Sequence, residues 1–97
     1  DLARFVTASP TSYHAAATAA GRLQEAGFER VDEQQAFPVG AGKYFVVRQG
    51  ACVAWIQPER LADDSGFRIV GTHTDSPALK VKPGELPQNS GWTQVGV

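Results

Sequence analysis

The stretch from Thr11 to Gly27 constrains the fold most. Thr11 is a residue type that caps helix N-termini, and residues 12–26 follow a helical period. Tyr13, Ala16, Ala17, Ala20 and Leu23 make an apolar stripe, while His14, Thr18, Arg22 and Glu25 share the opposite side. The alanines favour helix intrinsically and let a neighbouring layer approach closely. Gly27 suits the left-handed position after the helix, with Phe28 folding back on Leu23 in a Schellman-type ending. His14 falls on the polar side. A surface or hydrogen-bonding histidine is the plain expectation there, and a place beside an active site is the sharper one.

A helix with one apolar stripe needs a second layer to cover it. Ahead of it, Leu2, Phe5 and Val6 stand at helical spacing and predict a short helix over residues 1–8, with Asp1 at its positive end. Ser9-Pro10-Thr11 breaks that helix. Residues 29–42 carry no clear pattern. Residues 43–49, rich in Tyr44, Phe45, Val46 and Val47, read as a strand that turns at Gln49-Gly50 and returns over residues 51–57. Residues 58–66 read as a polar loop, where Asp63 and Asp64 are solvated turn residues rather than a paired-carboxylate site. Further strands are expected over residues 67–70, over the alternating residues 78–82, and from Trp92 onward, with a loop over residues 85–91. Lys80 and Lys82 mark a wet strand face rather than an anion site. The fold class is α/β: two helices packed on a mixed β-sheet built from the hairpin and the Phe67 strand.

The chemistry-bearing stretch is Phe67-Arg68-Ile69-Val70-Gly71-Thr72-His73-Thr74-Asp75-Ser76-Pro77. An apolar run stops at Gly71, and a histidine and an aspartate follow two residues apart. Side chains alternate along extended backbone, so His73 and Asp75 can project from the same side. Neutral imidazole is a common metal ligand, and its second ring nitrogen usually needs a carboxylate or carbonyl partner. His73 is therefore the candidate metal ligand and Asp75 the group that orients its ring. The alternative is a loop histidine beside a turn-forming aspartate.

Composition narrows the field. At 42% hydrophobic and 20% charged, the 97 residues are globular in character. A net charge of -1 leaves no basic footprint for nucleic acid. No apolar run approaches the roughly 18 residues of a membrane span, and no charged-then-apolar leader pattern stands out. Cys52, the single cysteine, lies in an apolar strand and reads as an inert thiol, which fits a cytoplasmic protein. The opening Asp1-Leu2 and the close on Gln94-Val95-Gly96-Val97 predict a piece of a longer polypeptide.

Several stretches, in order, resemble one family, the aspartyl aminopeptidases among zinc metallopeptidases. Ser9-Pro10-Thr11-Ser12-Tyr13-His14-Ala15 is similar to its Ser-Pro-Thr-x-Tyr/Phe-His-Ala segment. Leu23-Gln24-Glu25-Ala26-Gly27-Phe28 looks like its next landmark. Gly42-Lys43-Tyr44-Phe45 and Arg48-Gln49-Gly50 resemble its hairpin. Ile69-Val70-Gly71-Thr72-His73-Thr74-Asp75-Ser76-Pro77 resembles its His-Thr-Asp-Ser-Pro signature, and Leu79-Lys80-Val81-Lys82-Pro83 follows in register. Phe37 stands where many members carry Trp, and the loop at residues 59–65 differs.

The resemblance implies a cytoplasmic, homo-oligomeric two-zinc exopeptidase that releases acidic residues, Asp or Glu, from peptide N-termini. It assigns His73 as a zinc ligand and Asp75 as the catalytic-site aspartate that supports that ligand. The remaining ligands and the catalytic glutamate lie later in the family's chain. Residues 1–97 then form the N-terminal part of a zinc-aminopeptidase catalytic domain, cut near an inserted second domain. One imidazole cannot hold a catalytic zinc, which typically needs three protein ligands. The piece alone is thus expected to be inactive and to bind no stoichiometric zinc. Peptides are the expected partners, with no nucleic acid and no membrane. The alternatives are a related two-zinc aminopeptidase of other specificity and a non-catalytic α/β interaction module.

Overall fold

A computed structural model describes residues 1–60, 66–76, 79–84 and 88–97 of the chain. Helices α1 (Leu2–Thr7) and α2 (Ser12–Glu25) precede strands β1 (Glu29–Arg30), β2 (Gly42–Arg48) and β3 (Ala51–Gln57), which form one sheet in the order β1-β2-β3. A separate antiparallel pair, β4 (Gln88–Asn89) and β5 (Trp92–Thr93), turns through Ser90 and Gly91, both at positive φ. The expected α/β arrangement of two helices and a mixed sheet is present.

Helix α2 begins and ends as its sequence dictates. Thr11 is extended (φ -139°, ψ 165°), and its Oγ1 accepts the His14 N–H at 3.4 Å. At the other end Gly27 takes φ 81°; the Phe28 N–H donates to Leu23 O at 2.9 Å and the Gly27 N–H to Gln24 O at 3.0 Å. Those two bonds define a Schellman ending, and only glycine adopts its left-handed residue without steric cost.

The buried face of α2 is rotated from the expected stripe. Ala15 and Ala16 are buried, and Ala19, Ala20 and Leu23 are half-buried. Tyr13 is 59% exposed and Ala17 is exposed, so neither belongs to it. Alanines at 15, 16, 17, 19 and 20 put small apolar groups on most sides of the helix, and the packing partner decides which side is covered. Helix α1 lies against α2 through Phe5, over whose ring the Arg22 guanidinium sits at 5.0 Å. Asp1 is the N-cap residue but makes no capping bond. Its carboxylate accepts from Arg22 instead, at 3.0 and 3.4 Å. A salt bridge this exposed contributes about 0–1 kcal/mol.

The hairpin forms as expected, in full register from Gly42↔Gln57 to Arg48↔Ala51, around Gln49 (φ 51°) and Gly50. The third strand of the sheet is β1, parallel to β2 with Glu29↔Tyr44 and Arg30↔Phe45. Two charged, exposed residues give no strand pattern, so β1 escapes a sequence reading. β2 becomes the central strand, and Tyr44, Phe45 and Val46 are buried in succession because both its faces are covered. Strand parity puts Tyr44 and Val46 on the side of Trp55, Val53 and the covering segment of Phe37 and Pro38. Phe45, fully buried, points to the other side, toward α2. Phe37 stacks on Trp55 at 6.0 Å.

The expected strand over residues 67–70 does not form. Phe67, Ile69 and Val70 are 95%, 85% and 96% exposed, with no strand assigned. An apolar run becomes a strand only against a hydrogen-bonding neighbour, and none of the described residues supplies one. For the same reason residues 79–82 of the expected 78–82 strand are irregular, fixed by a bond from the Lys82 N–H to Gly96 O at 2.9 Å. The expected loop over residues 85–91 contains β4 at its end. Asp63, Asp64, Pro77, Ala78 and residues 85–87 lie outside the described residues.

Candidate metal centre

Residues 66–76 leave the sheet layer as irregular, exposed backbone, with one exception. Thr74 is half-buried, and its Oγ1–H donates to the Gly50 carbonyl at 2.6 Å. Gly50 in turn sits against the start of α2. A Cβ there would lie 2.6 Å from Ser12 Oγ and 2.9 Å from Ser12 Cβ. The His-x-Asp segment is therefore moored at its middle residue to the hairpin turn, and through it to the helix N-terminus.

On either side of Thr74 stand the two predicted site residues. His73 Nδ1 is 2.6 Å from the main-chain carbonyl oxygen of Asp75 and 3.7 Å from its carboxylate Oδ1. A carbonyl only accepts, so Nδ1 carries the ring proton, and Nε2 keeps its lone pair. The tautomer is assigned on that ground. The sequence reading gave the orienting role to the Asp75 side chain; the shorter contact is to its main chain, with the carboxylate just beyond hydrogen-bonding distance. Both side chains are open, at 78% and 82% exposure.

This geometry suits one zinc ligand. Metal-bound histidines typically donate their second ring N–H to a carbonyl or carboxylate, which fixes the tautomer and presents the other nitrogen. A complete site is another matter. Among the described residues no three His, Cys, Asp or Glu side chains converge on a point. His14 is exposed on α2 with its Nδ1 2.8 Å from Thr11 Oγ1, a surface hydrogen-bonding arrangement. Cys52 is half-buried on β3, and desolvation pushes its thiol pKa up, away from the thiolate that binds metals. A groove of about 610 Å³ among the described residues is lined by Phe37, Pro38, Val46, Val53 and Trp55 and includes none of residues 73–75. Its charged pair, Glu33 and Arg48, is already matched, with Arg48 Nε donating to the carboxylate at 2.8 and 2.9 Å.

Thr74 is the residue that sequence reasoning passed over. No spacing in the sequence marks it, because the chain bends at Thr74 and the acceptor is a main-chain carbonyl 24 residues away.

Comparison with known proteins bears on the same residues. The family model for aminopeptidase I zinc metalloproteases (M18) matches residues 5–97. The protein of Streptomyces coelicolor described as "Probable M18 family aminopeptidase 2" is 53% identical over 97 residues, which is all of this chain and 22% of that protein. Proteins of the same description from Mycobacterium leprae and Pseudomonas aeruginosa are 43% and 45% identical, covering 100% and 99% of this chain and 23% of theirs. The chain thus spans under a quarter of the length of the relatives it matches. No described helix is long and apolar enough to cross a membrane.

Proposed function

The chain belongs to the aminopeptidase I zinc metalloprotease (M18) family, and on that premise we propose that the full-length protein is a two-zinc aminopeptidase releasing N-terminal Asp or Glu from peptides. The observation that carries the site assignment is the His73 ring, whose Nδ1–H faces the Asp75 carbonyl and whose Nε2 is free to ligate. The preference for acidic residues rests on the likeness of the ordered segments to the aspartyl aminopeptidases.

Residues 1–97 are read as the N-terminal part of the catalytic domain. The openness of Phe67, Ile69 and Val70 supports this, because an apolar run of that kind is covered in a complete sheet. His73 supplies one imidazole to the metal centre. Asp75 keeps the proton on Nδ1 through its carbonyl, and its carboxylate lies 3.7 Å from the same nitrogen. His73 would hold one of two zinc ions, and such a pair would supply Lewis-acid polarisation of a scissile carbonyl and activation of water at neutral pH. The reading also carries over a cytoplasmic location and a homo-oligomeric state from the resemblance.

The test is zinc analysis of the full-length protein with turnover on a panel of aminoacyl substrates. Zinc-dependent release of Asp and Glu in preference to Leu or Lys supports the proposal. Release of a neutral or basic residue in preference replaces the specificity, and a full-length protein that holds no zinc and releases nothing overturns the reading.

A further inference from the structure

We propose that Thr74 is a positioning residue for the metal centre: its hydroxyl, through the Gly50 carbonyl, holds the His73 ligand at a fixed place relative to the sheet and helix α2. The inference rests on the zinc-aminopeptidase reading of His73 and adds to it a residue that neither binds metal nor touches substrate.

Three observations converge. Thr74 is the one half-buried residue among those described in 66–76, and all its neighbours there are exposed. Its bond to Gly50 O, at 2.6 Å, is short for a hydroxyl donor and joins residues 24 apart in sequence. The acceptor is itself immobilised, because Gly50 has no room for even a methyl group beside Ser12. A ligand on an exposed loop otherwise loses conformational freedom on binding its metal, and that loss weakens binding. The Thr74 bond removes part of that freedom before the metal arrives. The Asp75 carbonyl sets the rotation of the imidazole, while Thr74 sets where the backbone carrying it lies.

The experiment uses the full-length protein with Thr74→Val, which keeps the shape and deletes the hydroxyl, and Thr74→Ser, which keeps the hydroxyl. Zinc affinity is read by competition with a chelator. Thermal unfolding of the zinc-free protein, kcat and KM, and the carbonyl 13C shift of Gly50 in the zinc-free state are read alongside. Outer partners of metal ligands typically contribute 10- to 100-fold in metal affinity or activity. Thr74 acts on the ligand only through the backbone, so Thr74→Val is expected to weaken zinc binding at the lower end of that range, about 10-fold, and to lower kcat with KM nearly unchanged. It should also move the Gly50 carbonyl resonance while the zinc-free protein melts within a few degrees of wild type. Thr74→Ser should restore zinc affinity, kcat and the resonance together. Should the valine variant fail to fold, Thr74→Ala carries the same test.

Unchanged zinc affinity and kcat in Thr74→Val overturn the proposal, as does a loss of affinity that Thr74→Ser fails to restore. Either result leaves a wild-type enzyme that is active and zinc-loaded, so the reading of the function survives. A wild-type protein without zinc or peptidase activity overturns that reading, and this inference with it.

Discussion

Replacing Gly50 with alanine tests the packing on which the site's position depends. The new Cβ would stand 2.6 Å from Ser12 Oγ, 2.9 Å from Ser12 Cβ and 3.3 Å from the Ser12 carbonyl carbon. Comfortable contact between carbon atoms is about 3.5–4.0 Å, so the Ser12 Cβ contact alone asks for a shift of roughly 0.6 Å or more. The hydroxyl can rotate away, but Cβ and the carbonyl carbon belong to the first turn of α2. The turn has little room to retreat, since Arg48↔Ala51 pairing fixes it from the strand side and Thr74 holds its carbonyl. Overpacking of this kind costs about 1–3 kcal/mol. Gly50 is not among the residues at positive φ, so alanine incurs no backbone strain and recovers about 0.4–1 kcal/mol by stiffening the unfolded chain. The net is a destabilisation of about 1–2 kcal/mol, read in the full-length protein as a fall in the denaturant midpoint. Ser12→Gly removes the two closest atoms, so in the double variant the losses should fall short of additive by at least about 0.5 kcal/mol. A Gly50→Ala protein as stable as wild type, or losses that simply add, would refute the packing of the turn on the helix.

Further outcomes follow from the same structure. Phe45→Ala deletes a large side chain with no exposed surface and should cost about 3–5 kcal/mol, checked by denaturant unfolding of the full-length protein. Cys52 should alkylate with iodoacetamide more slowly than free cysteine at pH 8, because burial raises its pKa. A thiol pKa raised on folding also means the native state holds the proton longer. That contribution to stability is present below the unfolded thiol's pKa and lost as pH rises through the folded one, visible as a fall in Tm that Cys52→Ala lacks. Asp75→Asn in the full-length protein leaves the main-chain acceptor of His73 Nδ1 in place, so the loss of zinc affinity or activity should lie near the 10-fold end of the usual 10- to 100-fold range, with excess zinc restoring part of it.

Local signals were legible where local physics decides. The Thr11 cap, the Gly27 ending and the Gln49-Gly50 turn each follow from one or two residues, and each stands where its sequence places it. Signals that depend on a distant neighbour were not. The buried face of α2 is chosen by the hairpin from among several alanine-lined faces, and β1 exists only because β2 pairs with a charged dipeptide. Phe67, Ile69 and Val70 have the composition of a strand without a partner among the described residues to make one. At the site, the closeness of His73 and Asp75 followed from their spacing. That the Asp75 main chain approaches Nδ1 more closely than the carboxylate does not follow from residue types, because every residue carries a carbonyl.

Zinc content of the full-length protein after exhaustive dialysis, measured for wild type and for His73→Ala side by side, tests the central claim most directly. Neither the Ala15–Ala16 face nor the Phe45 core involves His73, which is exposed, so the variant should fold and melt as wild type does. The expected result is one equivalent of zinc per protomer less in His73→Ala than in wild type, with most of the peptidase activity gone. Equal zinc in both proteins, with activity retained, would contradict the assignment of His73 as a metal ligand.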